Sequence, residues 1–292
     1  MINNSNSIII LIAVVLSATG LCAQQDPNYT FYRYNMNIYN PAYAGSSEAA
    51  ELTLGLRSQW ASVQGAPESQ SAIFGMPMGK NVGMGVSILN DRTFIEQQTW
   101  LAADFSYRVM LGDATDLYLG IKGSANTQGL VTYGFGQDGS LMGLESRFAP
   151  NVGAGAYLKG ARYFLSLSVP KILTPDRLQQ RDGNAFLGED RVHAYLSGGY
   201  DVMLGTTVDL KTMAMVRYQE ASPVSVELTG ILDFGRRFEL GTSYRFNESI
   251  SGLFLINISP GFKIGYAYET AMENQINTLA NATHELFMRF GL

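Results

Sequence analysis

From residue 48 to the end of the chain, apolar and polar residues alternate in stretches of about ten. The clearest runs from Leu101 to Val109. Leu101, Ala103, Phe105, Tyr107 and Val109 share one face, and Ala102, Asp104, Ser106 and Arg108 share the other. The pattern returns with Leu117, Leu119 and Ile121 against Tyr118, Lys122 and Ser124, and with Val208, Leu210, Ala214 and Val216 against Asp209, Lys211 and Arg217. Val224, Val226 and Leu228 oppose Ser225, Glu227 and Thr229. Phe238, Leu240, Tyr244 and Phe246 oppose Glu239, Ser243 and Arg245. A helix would scatter these charges around its axis, whereas a strand collects them on one side.

This period predicts about fourteen strands, near 48–60, 69–77, 82–90, 97–110, 116–127, 150–159, 161–169, 191–204, 207–218, 223–233, 237–246, 250–259, 262–272 and 284–292. Every second connection is a tight turn: Gly79-Lys80-Asn81, Gly112-Asp113, Gly160, Gly205-Thr206, Gly235-Arg236 and Pro260-Gly261. These residues tolerate hairpin dihedrals. The intervening connections are longer on the whole, notably 128–149 and 170–190. Short periplasmic turns and longer external loops are the habit of outer-membrane barrels, and an even strand number returns the chain to the periplasmic side. Leu286, Met288, Phe290 and Leu292 alternate to the last position. Such a strand closes a barrel against its first strand and removes the exposed edge.

A soluble sandwich or lipocalin-like barrel shares the period but reverses the faces. Size decides between them, because fourteen strands closed around an apolar interior would leave an empty lumen. The expected fold is therefore all-β, a transmembrane antiparallel barrel over 48–292. Its apolar face then meets lipid, and Asp104, Arg108, Lys122, Asp209, Lys211, Arg217, Glu227, Glu239, Arg245, Lys263, Glu269, Glu285 and Arg289 project into the lumen. The signs are balanced, which suits cross-strand pairs in a crowded interior better than the one-sign ring of an ion-selective pore.

Composition agrees with one lipid face and one wet face. Tyr (16), Phe (15) and Gly (31) are plentiful. Only 15% of residues are charged, against about 25% in soluble domains. Mean hydropathy is only +0.02, too low for a bundle of membrane helices. The net charge of -5 and the absence of any basic run beyond Arg236-Arg237 exclude nucleic acid as an expected partner.

The N-terminus differs from the rest. Ile8 to Leu16 is almost purely apolar and small residues follow, so 1–23 is expected to be a signal peptide cleaved after Ala23. The stretch lacks Lys or Arg before Arg33, a departure from the usual signal. Cys22 follows Leu21 where a lipoprotein signal wants a small residue, so removal with the signal is the expected fate of the chain's one cysteine. Residues 24–47 are rich in Asn, Pro and Tyr and barely alternate. Buried, hydrogen-bonded positions suit Tyr29, Tyr32, Tyr34, Tyr39 and Tyr43. This segment is expected to be extended, packing against the barrel's periplasmic mouth or partly filling the lumen.

The same segment carries a family resemblance. Gln24-Gln25-Asp26-Pro27-Asn28-Tyr29, Asn35-Met36 and Asn40-Pro41-Ala42-Tyr43-Ala44-Gly45 resemble the opening of the PorP/SprF family. Gly265-Tyr266-Ala267-Tyr268-Glu269 and His284-Glu285-Leu286 resemble its distal part. The resemblance implies a non-enzymatic component of the type IX secretion system in the cell outer membrane. It implies as partners the C-terminal domain of a secreted adhesin, of the gliding-motility type, and periplasmic machine components. Asp26, Pro27, Tyr29, Asn35, Asn40, Pro41, Tyr43, Gly45, His284 and Glu285 become the candidate partner-binding or structural residues.

Catalytic and cofactor chemistry finds little support. His193 and His284 are the only histidines, and no Gly-x-Ser-x-Gly elbow presents a nucleophile. Gly134 to Gly139 matches a dinucleotide fingerprint literally, but in a polar loop without a following helix. Asp182, Glu189 and Asp190 are scattered acids of a loop, more simply solvated than bound to calcium. No cofactor is expected. The competing expectations are a secretion-system barrel, a passive porin or solute channel, and, remotely, a hydrolase relying on His284.

Overall fold

In a computed structural model, residues 28–60, 65–93, 96–130, 147–174, 192–220, 222–272 and 282–292 are described. The strands are β1 (Glu51–Gln59), β2 (Glu68–Met78), β3 (Val82–Thr93), β4 (Glu96–Gly112), β5 (Thr115–Leu130), β6 (Arg147–Gly160) and β7 (Tyr163–Lys171). They continue with β8 (His193–Met203), β9 (Val208–Gln219), β10 (Ser225–Phe234), β11 (Phe238–Arg245), β12 (Ser249–Ser259), β13 (Phe262–Ala271) and β14 (Thr283–Gly291). Each strand pairs antiparallel with its sequence neighbours, and β1 pairs with β14 from Glu51 opposite Gly291 to Gln59 opposite Thr283. The sheet is thus a closed fourteen-stranded barrel with no free edge.

All fourteen predicted strands are present. The largest difference lies at β5 and β6, which pair on through Gln128 opposite Arg147, inside the span read as a loop. Hairpin pairing there continues through polar residues such as Asn126 and Gln128, which send no apolar signal. Strand length varies around the barrel: β4 has 17 residues and β5 has 16, but β11 has 8. About 9–11 tilted residues cross a bilayer. The β4–β5 side therefore rises past the hydrocarbon at its loop end.

Alternation sets the two faces. Leu101, Phe105, Ile121, Leu167 and Tyr266 stand exposed on the outside. Asp104, Lys122, Glu239 and Glu285 are buried inside. Aromatic residues mark both ends of the outer band, with Tyr107, Tyr163 and Tyr200 toward the short turns and Tyr218, Phe246 and Tyr268 toward the loops. Such girdles sit at the membrane interfaces.

The segment before β1 is neither extended nor confined to the mouth. Residues 28–47 fold compactly inside the lumen, with a turn at 30–34, one helical turn α1 (Met36–Tyr39) and a 3-10 turn at Pro41–Tyr43. Local chemistry explains the compaction. Pro41 takes the first 3-10 position, where its missing N–H costs nothing, and the Asn40 side chain caps the turn. Asp26 and Pro27, the span expected to be a signal peptide, and residues 131–146 and 175–191 lie outside the described residues.

Candidate functional site: the filled lumen

The candidate site is the contact between segment 28–47 and the inner wall. Its first half rests on charged and aromatic side chains. The amides of Thr30 and Phe31 donate to the Glu285 carboxylate at 2.7 and 3.3 Å. Phe31 stacks on Phe287 with centroids 5.1 Å apart. Arg33 donates from Nη2 alone to both oxygens of Asp201, at 2.7 and 2.8 Å, a charge-assisted contact. The Tyr34 hydroxyl donates to Glu239, and its carbonyl accepts from Arg289. Burial pushes the phenol of Tyr34 up, so it keeps the proton it donates to Glu239.

The second half rests on a different surface. The Asn37 carbonyl accepts from Lys122 at 2.9 Å, and Lys122 pairs with Asp104 at 3.0 Å. Asn40 uses its whole amide. Its Oδ1 accepts from the Ala42 amide at 2.9 Å, and its Nδ2 donates to the Ala156 carbonyl at 2.9 Å and the Ser166 hydroxyl at 2.7 Å. Ser106 donates to the Ala44 carbonyl at 2.5 Å, and Lys159 to the Ser46 carbonyl at 2.7 Å. Tyr43 meets the edge of Tyr157, centroids 5.3 Å apart.

Three inward glycines make this fit possible. A Cβ at Gly83 would collide with the Ala44 carbonyl, one at Gly120 with the backbone of Pro41 and Ala42, and one at Gly155 with the Asn40 side chain. Gly45 itself has φ +67° and lies against Gly83, a conformation and an approach that a side chain would disturb. Beside these contacts Tyr29, Tyr32, Met36 and Tyr39 pack with Tyr118, Tyr157, Phe164 and Tyr195 of the wall into one apolar cluster.

Above the first half runs a chain of ion pairs. Arg57 pairs with Glu285 at 3.4 Å and Glu269 at 3.0 Å. Arg245 pairs with Glu269 at 3.2 Å, Glu227 at 2.9 Å and Glu248 at 3.6 Å, and Arg217 reaches Glu248 at 3.9 Å. Nearer the short turns, Glu239 takes Lys263 at 2.6 Å and Lys211 at 3.1 Å, and Lys211 also takes Asp233 at 2.7 Å. Arg108 pairs with Asp116 at 3.0 Å, and Asp209 stands opposite Asp233 in the β9–β10 register.

The candidate residues thus divide. Tyr29, Asn35, Asn40, Pro41, Tyr43, Gly45 and Glu285 meet within the lumen. His284 does not: it lies on the outer face, its Nδ1 2.7 Å from the Tyr266 hydroxyl and its ring against the edge of Tyr268. His193 is buried in β8 beside Tyr195, so the two histidines serve different faces. Sequence reading missed Arg57, Asp201, Asp233 and the wall glycines. Arg57 was legible, since Leu52, Leu54 and Leu56 put Thr53, Gly55 and Arg57 on the inner face. Among the described residues, no group of three His, Cys, Asp or Glu is arranged to hold a metal.

The barrel is shared with proteins of known structure. A Pseudomonas aeruginosa FadL homologue is 11% identical over 92% of this chain and 95% of its own, with a TM-score of 0.52. CymD, described as a monoaromatic hydrocarbon channel, is 12% identical over 87% of this chain and 92% of its own, with a TM-score of 0.51. At such identities the likeness shows the fold alone. No curated protein matches the chain. The family model described as type IX secretion system membrane protein PorP/SprF matches residues 21–290, and with this fold it establishes that the chain is an outer-membrane protein belonging to the PorP/SprF family.

Proposed function

We propose that this protein is a closed, non-catalytic barrel that supports secretion or surface attachment of an adhesin. In this reading it binds the adhesin's C-terminal domain at the loop end and periplasmic machine components at the turn end. The observation that carries it is the filling of the lumen: Tyr29, Phe31, Tyr32, Met36 and Ala42 are each at most 2% exposed inside the barrel. A lumen so occupied leaves the two rims as the working surfaces. The family and fold are of a transport and structural kind rather than a catalytic one, which supports the same reading. The high β4–β5 side gives the loop end a raised wall against which a folded domain can rest.

Deletion of the protein is expected to abolish surface display of one cognate adhesin while leaving outer-membrane permeability to small solutes unchanged. Normal display of every type IX substrate in the deletion strain overturns the proposal. Stable conductance of the purified protein in planar bilayers would instead favour a solute channel.

A further inference from the structure

The lumen segment has a direction. β14 runs from its loop end at Thr283 to its turn end at Gly291, and residues 30–34 descend beside it in the same sense. The Thr30 and Phe31 amides meet Glu285, the third residue of the strand. The Phe31 and Tyr34 rings pack on Phe287, with centroids 5.1 and 5.6 Å away, and the Tyr34 carbonyl accepts from Arg289 near the strand's lower end. Glu285 and Arg289 are about 13 Å apart along the strand, which is about 10 Å along the membrane normal at the usual tilt. Arg33 agrees with this descent, since its partner Asp201 lies close to the turn end of β8 at Met203.

The far end of the segment is fixed at the turns. Gly45 lies against Gly83, the second residue of β3. The Ser46 carbonyl accepts from Lys159, next to last in β6, and Ser47 donates to Glu51, the first residue of β1. Tyr29 sits at the opposite level. Its amide donates to the Tyr39 hydroxyl at 3.2 Å, and the Tyr39 ring lies 5.1 Å from that of Tyr195, the third residue of β8 from its loop end. Beside and below Tyr29 the lumen is occupied by Tyr32, Met36 and Tyr39, each at most 6% exposed. Side chains packed in this way leave no passage for a second stretch of backbone. Asn28, half-buried at the top of this stack, therefore opens toward the loop end.

We infer that segment 28–47 crosses the lumen once, from the cell-surface side at Asn28 to the periplasmic side at Ser47, and that its N-terminal end is a handle reachable from outside the cell. The fourteen strands alone return the chain to the side where β1 begins; the segment ahead of β1 adds one more crossing. A pull or a ligand at Asn28 meets the Glu285 and Arg289 contacts first and the glycine sockets last, so the segment releases from the ionic wall downward. The topology does not depend on which substrate the barrel serves.

Single-cysteine variants in whole cells test this. The sequence's one cysteine, Cys22, lies in the span expected to be removed, and the wild-type protein serves as the blank. A polyethylene glycol maleimide too large for porins modifies a surface cysteine in intact cells, and a periplasmic one only after the outer membrane is opened. Pro223→Cys, exposed at the loop end between β9 and β10, and Ala49→Cys, exposed just before β1, set the two limits. Asn28→Cys is expected to be modified in intact cells, as Pro223→Cys is. Modification only in opened cells, as for Ala49→Cys, overturns the inference. If Asn28→Cys reacts in neither, a long flexible peptide carrying an epitope is inserted ahead of Asn28, where it has to emerge on one side. Antibody binding to intact cells then supports the inference. Binding only in opened cells, or none to a folded barrel, overturns it.

Discussion

Around β4–β7 the lumen wall meets residues 37–46 through glycine sockets, serine hydroxyls and two lysines, whereas around β11–β14 and β1 it meets residues 29–34 through carboxylates, guanidinium groups and aromatic rings. The two halves hold one segment by different physics. A socket made by omitting a side chain desolvates little charge and specifies shape, since only a backbone or a small residue can enter. A network of buried ions specifies little shape but couples its members, because removing one leaves its partners charged and dry. The socket wall should thus fail locally and the ionic wall collectively.

The largest effect is expected from Arg57→Met. Arg57 and Glu285 have side chains 2% exposed, and Glu269 9%. Without the guanidinium the Glu285 carboxylate loses its counter-charge and Glu269 keeps only Arg245, at a cost of about 3–5 kcal/mol. Urea unfolding in lipid vesicles measures the loss, and early proteolysis within residues 28–34 shows that Glu285 no longer steadies the Thr30 and Phe31 amides. The triple variant Arg57→Met, Glu269→Gln, Glu285→Gln is expected to recover much of that stability, because neutral amides need no counter-charge. No recovery would show that the guanidinium acts by packing rather than charge.

Gly120→Val attacks the other wall. The new side chain overlaps the backbone of Pro41 and Ala42, and overpacking of this kind costs about 1–3 kcal/mol. The expected outcome is a barrel that still folds but holds its segment loosely, read as protease cleavage near residue 42 together with new conductance in planar bilayers. A silent, protease-resistant variant would mean that the socket does not hold the segment.

These contrasts explain what could be read from the sequence. The barrel was legible because lipid outside and charge inside force period two on every strand, and Asp104, Lys122, Glu239 and Arg245 announced their face by alternation alone. The tyrosines announced that the lead-in is buried, but not against which strands. That depends on register, which sets Gly120 and Gly155 opposite each other on neighbouring strands, and a mid-strand glycine looks the same in sequence whether it makes a socket or only a flexible point. The pairing of His284 with Glu285 as one site ignored the period itself, since His284 shares parity with Leu286, Met288 and Phe290 on the outer face and Glu285 does not.

A smaller effect is expected from Asn40→Ala, which removes the cap on Ala42 and the bonds to Ala156 and Ser166. Loss of such a cap costs about 0.5–2 kcal/mol. The socket glycines still hold the neighbouring backbone, so the urea midpoint should fall without conductance appearing. Conductance from this variant alone would mean that the hydrogen bonds, and not the sockets, hold the second half of the segment.

The smallest effect sharpens the comparison from outside the lumen. Arg92 and Glu68 stand opposite each other at the loop ends of β3 and β2, 3.6 Å apart, with side chains 53% and 50% exposed. By residue type this is the same pair as Arg57 with Glu269. Water already solvates both charges, so Arg92→Gln strands nothing, and exposed pairs contribute only about 0.2–1 kcal/mol. The variant should shift the urea midpoint slightly and lose even that shift in high salt, which screens exposed pairs more than buried ones. Arg57→Met should keep most of its effect in the same salt. Equal salt sensitivity at the two positions would mean that solvent reaches Arg57 from the loop end, and the ionic wall would then be open where burial shows it closed.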